Sequence, residues 1–451
     1  MKKLISRITK SKLAKTSLVN GAANFIKILS SLVSSKITAV YLGPAGVALL
    51  GQFMNVSTMA MIFSTLGINA GITKFTAEYH DDLKKRSEIL GTGFVMILCG
   101  SAFISLAVFL GRGYLSRKFL HTDQYSSVFG VLGFTIVLFA LNIFFISVLN
   151  GYKEFKKIAS VNMVGSVLGL VIAILLVIRY GVLGAFLGFI LSQSLVLFAT
   201  LFFVINSAWF STATLFSGVK MDSVKKLFRF SLMTLTSIFA VTFVQLQIRD
   251  FIIRHISIES AGYWQGITRI SDLYLTFITT TLSMYYLPRL SELNKKEDIK
   301  REVLKGFAFI LPLAMASALT IFLLRGLIVK TLLAKTFLPM LPLFQMQLIG
   351  DVLKISSWLL AYLLIAKAMT KIFIITEIAF GASLYVLTRI FVIKMGVVGA
   401  TYAFALNYFI YFFVMLFIFK DIFLTHKVKT GVSPEVIYGK TDTSFGGDTN
   451  V

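Results

Sequence analysis

Residues 127–149 read SVFGVLGFTIVLFALNIFFISVL, an apolar run without a single charged side chain. An α-helix needs about 20 apolar residues in succession to cross the hydrocarbon core of a bilayer. The run is therefore long enough and apolar enough to predict one membrane-spanning helix.

Similar runs occur along the whole chain and together predict about 12 spans. The spans lie at 16–40, 46–70, 89–110, 127–149, 158–178, 182–206, 230–253, 261–287, 304–324, 341–366, 371–393 and 396–419. Hydrophobic residues occupy 57% of the 451 positions and charged residues only 14%. Because a soluble domain has about 25% charged residues, we expect an all-α polytopic membrane protein with no room for a soluble domain.

The formal net charge is +24, and its distribution predicts the orientation of the chain. The basic residues fall in short segments between apolar runs instead of sharing a polar face, which disfavours nucleic acid as a partner. With the N-terminus inside, the cytoplasmic segments hold roughly 29 of the Lys and Arg residues and the outward loops about nine. Because Lys and Arg resist translocation, both termini are predicted to be cytoplasmic.

The inward segment between spans six and seven divides the chain into two halves of similar length. We predict an N-terminal six-helix bundle at 1–206, a cytoplasmic linker at 207–229, a C-terminal six-helix bundle at 230–425 and a disordered cytoplasmic tail at 426–451. Transporters built from two such halves often have their binding site between them.

Apart from Lys305 and Lys371 in the first turns of spans nine and eleven, ten ionisable residues lie inside the predicted spans, and they are the informative ones. They are Lys27, Lys36, Arg249, Asp250, Arg269, Asp272, Asp351, Lys354, Glu377 and Arg389. Each costs about 2.5–3.5 kcal/mol at the centre of a lipid-facing helix. We therefore expect these side chains to face one another or a water-filled cavity.

Helical spacing places many of them on polar stripes. Span eight has Gln265, Arg269, Asp272, Thr276, Thr279 and Ser283 at intervals of three or four; span one has Asn20, Asn24, Lys27, Ser31, Ser34 and Thr38; span ten has Gln347, Asp351, Lys354, Trp358 and Tyr362. Residues at these intervals share one face of a helix. Three amphipathic spans in one protein predict a hydrated central cavity.

Structural ion pairs are the alternative explanation for several of these charges. Arg269 with Asp272, and Asp351 with Lys354, have the spacing of intrahelical pairs. Asp250 and Arg254 have it too, near the outer surface, where a structural pair is favoured. Lys36 and Arg389 lie near span ends, from which they can reach the interface. Lys27 has no acid within a turn, which marks it as a cation available to a ligand.

The balance of signs favours an anionic cargo. The in-span residues comprise six bases and four acids, and a cavity with surplus positive charge attracts anions and repels a cationic drug. Lys and Arg bind phosphate oxygens directly, and the Ser, Thr, Asn and Gln groups of the stripes suit sugar hydroxyls.

Other chemistry finds little support in the sequence. The four histidines lie in separate loops without metal-ligand spacing, so we expect no metal, no cofactor and no catalytic residue. An embedded glycosyltransferase or polymerase would need a large outward loop, which this chain lacks, and so the chain is not expected to be an enzyme. The single cysteine, Cys99, is expected to be a small buried hydrophobe.

Four motifs resemble one known family. GYWQGITRISDLYLTFITTTLSMYYLPRLSEL (262–293) and LIGDVLKISSWLLAYLLIAKA (348–368) are similar to polar spans of the Wzx-type O-antigen translocases and of the related flippases for the enterobacterial common antigen. YLGPAG (41–46) and GITKFTAEYHDD (71–82) match in the N-terminal half. The family is the polysaccharide-transport branch of the multidrug/oligosaccharidyl-lipid/polysaccharide exporter superfamily, and the resemblance covers about residues 13–425.

The resemblance implies a fold and an activity. The implied fold is two six-helix bundles in a V around a central cavity that opens alternately to each side of the bacterial inner membrane. The implied cargo is an O-antigen or related repeat unit on undecaprenyl pyrophosphate, carried from the cytoplasmic to the periplasmic leaflet. Membrane lipids, a polysaccharide polymerase and chain-length proteins are implied as partners.

We assign expected roles on this basis. Lys27, Arg269, Lys354, Asn24, Gln265 and Trp358 are the candidates for binding pyrophosphate and sugar; Asp272, Asp351 and Glu377 are the candidates for carrying a coupling ion, a proton or sodium. Glu377 has no base one turn away inside its span, which favours a role in carrying an ion. The alternative is that Lys371 or a residue of a neighbouring helix pairs with it. A drug or cation antiporter of the same fold and a flippase for a peptidoglycan lipid precursor remain the alternatives.

Overall fold

The computed structural model describes residues 12–423, which are helical almost throughout and contain no strand. The N-terminal half of this range contains the helices Lys12–Ser64, Asn69–Glu78, Leu83–Leu110, Arg112–Leu120, Ser126–Gly151, Phe155–Ser194, Val196–Ile205 and Thr212–Leu215. The C-terminal half contains Met221–His255, Ile258–Thr281, a π-helical turn at Leu282–Tyr286, Leu287–Glu292, Lys296–Leu332, a 3₁₀ turn at Lys335–Met340, Leu343–Ala366, Thr370–Met395, Val398–Ile418 and Lys420–Phe423. The predicted tail lies outside the described residues.

Eight of the described helices are long and apolar enough to cross a membrane. Two of them, Ala23–Ser64 and Phe155–Ile205, have 42 and 51 residues, which is enough for two crossings each. Met221–His255 and Ile258–Thr281 complete the twelve spans, although their charged residues interrupt the apolar pattern. The all-α fold with about 12 spans is confirmed.

The two double-length helices bend at glycines. Gly43 has φ 64° and Gly181 has φ 56°, in the left-handed region that side-chain-bearing residues rarely adopt. Pro44 adds to the first bend because it has no backbone N–H to donate to the helix. We call the side of the molecule that carries these bends the outer face, because the charge pattern predicts it to be outside, and the opposite side the inner face.

Each lobe has its own apolar core. In the N-terminal lobe, spans one to six, the Phe53 ring packs against Phe129 and Phe186 with centroids 5.3 and 4.7 Å apart. In the C-terminal lobe, spans seven to twelve, Leu282 and Leu359 are fully buried in the largest cluster. The two-lobe fold predicted from the resemblance is therefore present.

The lobes touch at the outer face. Ala48, at the outer end of span two, is completely buried in a cluster formed otherwise by C-terminal residues such as Trp264. Lys36 Nζ donates a hydrogen bond of 2.6 Å to the carbonyl oxygen of Lys330, in the last turn of the helix that contains span nine. These contacts close the cleft between the lobes on the outer side.

A second set of outer contacts is polar and buried. Arg249 of span seven is 2% exposed and donates a hydrogen bond to Oε1 of Gln265 in span eight. A Cβ atom at Gly51 of span two would lie 2.8 Å from that oxygen, so the glycine lets the lobes approach closely. The side chain of Gln265, one of the predicted site residues, is therefore already hydrogen-bonded where the two lobes meet.

Two details differ from the sequence-based expectations. Cys99 is exposed rather than buried, because its position on Leu83–Leu110 faces away from the lobe, where lipid accepts an apolar thiol. The helix that contains span seven begins at Met221, within the predicted linker 207–229, because the polar residues there continue the helix toward the inner face.

Candidate functional site

The first cavity lies in the N-terminal lobe and has a volume of about 450 Å³. Spans one, two, four, five and six line it, and Arg269 of span eight reaches it from the other lobe. We call it the N-lobe cavity. Its lining includes two cations, Lys27 and Arg269, and no acidic residue among residues 12–423.

The predicted stripe of span one supplies one wall of the N-lobe cavity. Lys27, Ser31, Ser34 and Thr38 all line it, as their helical spacing predicts. Asn24 is exposed but does not line this cavity. No carboxylate oxygen in the described part of the chain lies within 4.0 Å of the Lys27 ammonium, so this cation has no ion-pair partner there.

Two amides outside the set of predicted site residues also line the N-lobe cavity. Asn162 of span five and Gln193 of span six are exposed there, and neither side chain has a hydrogen-bond partner among residues 12–423. The available signal was the spacing of Asn162 with Ser166, and of Gly165 with Gly169, at intervals of four in an otherwise apolar helix.

The second cavity lies within the C-terminal lobe and is smaller, about 140 Å³. Spans seven, eight, ten, eleven and twelve line it, and we call it the C-lobe cavity. It brings together five of the predicted site residues: Asp272, Asp351, Lys354, Trp358 and Glu377. Lys354 and Trp358 are therefore in a different cavity from Lys27 and Arg269.

Aromatic rings surround the Lys354 ammonium in the C-lobe cavity. Its Nζ lies 4.9 Å from the ring centroid of Trp358, 5.8 Å from that of Phe404 and 5.7 Å from that of Tyr408. Ring faces attract a desolvated cation. No direct ion pair within 4.0 Å joins Lys354 to a carboxylate in the described range, so the alternative of an Asp351–Lys354 ion pair is not formed.

Asp351 differs from the other two carboxyl groups of the C-lobe cavity. It is 1% exposed and accepts hydrogen bonds from Ser271 Oγ at 2.7 Å, Tyr274 Oη at 2.8 Å and Gln347 Nε2 at 3.2 Å. The first two donors belong to span eight, so Asp351 ties spans eight and ten together. The side chains of Asp272 and Glu377 have no hydrogen-bond partner in residues 12–423 and are open to the cavity.

The alternative ion pair of Arg269 and Asp272 is not formed either. Residues three apart on a helix point in directions about 60° apart. Here that angle places Arg269 at the N-lobe cavity and Asp272 at the C-lobe cavity. Span eight therefore separates the two cavities, with a base on one side and an acid on the other.

The predicted pair at the outer surface is present. Arg254 Nε lies 2.9 Å from Asp250, and His121 of the other lobe lies 3.1 Å from the same carboxylate. Lys36 also reaches the outer side, as its hydrogen bond to Lys330 shows. Arg389 is exposed, with its guanidinium 5.2 Å from the centre of the Phe251 ring.

Comparison with known proteins places the chain in a family. The family model described as "Polysaccharide biosynthesis protein" matches residues 13–294. The Lipid III flippase of Escherichia coli (strain K12) is 31% identical over 400 residues, covering 89% of this chain and 96% of that protein. The Lipid III flippase of Shigella flexneri matches with the same identity and coverage.

Solved structures share the fold at low sequence identity. An inward-facing MATE multidrug transporter of the MOP superfamily has a TM-score of 0.74 and 14% identity, with 90% of this chain and 98% of that chain covered. The lipid II flippase MurJ in an inward closed conformation has a TM-score of 0.69 and 16% identity, with 90% and 87% covered. The fold is that of the MOP superfamily transporters, and the chain belongs to the polysaccharide biosynthesis protein family.

Proposed function

We propose that this protein flips an oligosaccharide linked to undecaprenyl pyrophosphate from the cytoplasmic to the periplasmic leaflet. The observation that carries the proposal is the N-lobe cavity, where Lys27 of one lobe and Arg269 of the other meet without a carboxylate. Two unpaired cations suit a pyrophosphate, because charged groups bind phosphate oxygens with strong hydrogen bonds. The two relatives that are Lipid III flippases support the same cargo class.

The closed outer face supports alternating access as the mechanism. The lobes also touch at one point of the inner face, where Ser231 Oγ donates a hydrogen bond to the carbonyl oxygen of Leu66. The cargo enters from the inner side beside this contact, with its pyrophosphate at Lys27 and Arg269 and its polyprenol in the surrounding lipid. Rocking of the lobes then breaks the contacts between span two and the C-terminal lobe and opens the cavity outward. Since the two cations come from different lobes, the same motion moves them relative to each other and weakens their joint hold on the pyrophosphate.

The charge pattern supports the location. The basic inner segments favour a bacterial inner membrane protein with both termini cytoplasmic. A flipped repeat unit is then a substrate for a polysaccharide polymerase with its chain-length proteins, which we propose as functional partners. Asn24 lies one turn before Lys27 toward the inner face, and we propose that it contacts the cargo on its entry path.

We propose the C-lobe cavity as the site of ion coupling. Asp272 and Glu377 are the open carboxylates there, and Lys354 with its aromatic neighbours, including Trp358, provides the counter-charge. Asp351 is assigned a structural role, because its oxygens are already occupied by three neutral donors. The volume of about 140 Å³ suits a proton or a small ion, and is too small for the cargo headgroup.

The coupling proposal predicts different behaviour for these carboxylates in proteoliposomes. Collapse of the proton gradient should slow transport by the wild-type protein, whereas Asp272→Asn and Glu377→Gln should transport slowly with or without the gradient. Asp351→Asn should keep the response to the gradient but unfold at a lower temperature, because an amide disturbs the three hydrogen bonds. Wild-type transport that is equally fast without the gradient would exclude the proton, and the same assay with and without sodium then tests the sodium version.

Deletion of the gene tests the proposed function itself. We expect a polysaccharide-producing host without the gene to lose surface polymer and to accumulate the single-unit undecaprenyl-linked intermediate on the cytoplasmic side. Complementation by the full chain should restore both to wild-type levels. Normal polymer with altered drug susceptibility would support the cation antiporter, and arrested cell-wall synthesis would support a peptidoglycan precursor as the cargo.

A further inference from the structure

We propose that Asn162 and Gln193 form a sugar-recognition subsite in the N-lobe cavity, which binds the sugar next to the pyrophosphate. The inference rests on the proposed function and deepens it, because it names the residues that distinguish a glycosylated lipid from the bare lipid pyrophosphate. The first supporting observation is that both amides are exposed in the cavity and unpaired within residues 12–423.

An unpaired amide inside a membrane span needs a polar partner. Lipid offers an amide no hydrogen bond, so an exposed amide within a membrane span must face water or a polar ligand. The third amide of the cavity, Asn142, is hydrogen-bonded within the protein. It is 5% exposed, and its Oδ1 accepts a hydrogen bond of 2.6 Å from Thr200. Asn162 and Gln193 lack such a partner, so their donors and acceptors are available to a ligand.

The position of the two amides matches the path of the cargo. Asn162 lies near the inner end of span five, and Gln193 lies at the middle of span six. Lys27 and Arg269 lie near the middle of spans one and eight. A headgroup with its pyrophosphate at the two cations therefore has Gln193 at about the same depth and Asn162 on the inner side, from which it enters.

Glycines shape the surface around the amides. A Cβ atom at Gly165 would lie 2.9 Å from Val196, and one at Gly169 would lie 3.1 Å from the Cβ of Ser192. Spans five and six can approach closely at these positions, which holds Asn162 and Gln193 on adjacent helices. The cavity volume of about 450 Å³ lies within the range of about 300–1,000 Å³ that is typical of small-molecule sites.

The chemistry of this wall suits a neutral polyhydroxylated ring. An amide offers both donors and an acceptor, and a hydroxyl group both donates and accepts. Ser166 and Ser192 add hydroxyl oxygens beside the amides. With no acidic side chain from residues 12–423 in the lining, the wall does not suit a cationic ligand.

Binding to two lipids tests the subsite. Full-length protein in nanodiscs is titrated with undecaprenyl pyrophosphate and with the same lipid carrying one N-acetylhexosamine. We expect Asn162→Ala and Gln193→Ala each to weaken binding of the glycosylated lipid by about 2- to 10-fold, the size of a lost neutral hydrogen bond. Binding of the bare lipid should stay within about twofold, which also shows that each variant is folded.

The control variant is Asn206→Ala. Asn206 is an exposed amide at the inner end of span six, its Nδ2 donates to the carbonyl of Phe202, and it does not line the cavity. We expect it to bind both lipids like the wild type. Unchanged binding of the glycosylated lipid by both cavity variants, or equal loss for both lipids, would overturn the subsite alone. Failure of the wild-type protein to bind either lipid would overturn the proposed function as well.

Discussion

Arg269→Ala and Lys27→Ala should each weaken binding of undecaprenyl pyrophosphate by about 10- to 100-fold. A hydrogen bond to a charged group contributes about 1.5–3 kcal/mol, and each 1.4 kcal/mol is about a factor of ten in affinity. Both cations line the N-lobe cavity without a carboxylate partner in the described residues, so no internal ion pair offsets the loss. Binding to protein in nanodiscs measures the affinity, and surface polysaccharide in a complemented deletion strain measures transport.

The side-chain chemistry at position 269 sharpens this test. Arg269→Lys should keep part of the affinity, because the charge remains but the planar two-pronged donor geometry is lost. Arg269→Glu should abolish transport, since a carboxylate repels the pyrophosphate. Arg325→Ala is the matched control, because Arg325 lies on the helix of span nine, just past the end of the span, and donates to the carbonyl of Phe322 outside both cavities. If Lys27→Ala and Arg269→Ala both leave surface polysaccharide at wild-type levels with normal expression, the pyrophosphate roles are wrong.

The spans were predictable because membrane insertion depends on local composition. A window of about 20 residues contains most of the information on whether a helix crosses the bilayer. For the same reason the polar wall of span one, with Lys27, Ser31 and Ser34, followed from helical spacing alone. The bend at Gly43–Pro44 also belongs to the local sequence, since only glycine accepts φ 64° readily.

The division of the charged residues between two cavities was not predictable in this way. Helical spacing puts Arg269 and Asp272 on one face of span eight. Their side chains nevertheless point in directions about 60° apart, which is enough for them to reach cavities in different lobes once the neighbouring helices are packed. Likewise, nothing in the neighbourhood of Lys354 in sequence indicates that Phe404 and Tyr408 of span twelve contact it. These relations depend on helix packing, which hydropathy does not encode.

Asn162 and Gln193 show a different limit of sequence reasoning. A single amide in an apolar helix costs less than a charge and forms no stripe of its own, so it is weak evidence for a site. The structure adds the missing observation by placing two such amides from adjacent helices on one cavity wall.

Gly262→Val should prevent closure of the outer face and reduce transport close to zero. A Cβ atom at Gly262 of span eight would lie 2.0 Å from the carbonyl oxygen of Pro44 and 2.8 Å from its Cα. Because these are backbone atoms, they cannot turn aside as a flexible side chain does, and the bend between spans one and two must move away from the C-terminal lobe. Alternating access requires both states, so a protein held open at the outer face cannot load cargo from the inner side.

A gain of labelling distinguishes this outcome from misfolding. Ala48 is completely buried between the lobes at the outer end of span two. In a Cys99→Ser background, Ala48→Cys should resist a membrane-impermeant maleimide added from outside, and Gly262→Val should make it reactive. Gly326→Val is the control, because a Cβ atom at Gly326 meets nothing within 4 Å, and this variant should transport normally with Cys at 48 still protected. Transport at wild-type rate by Gly262→Val, with no labelling at position 48, would show that the contact between Pro44 and Gly262 is not part of the transport cycle.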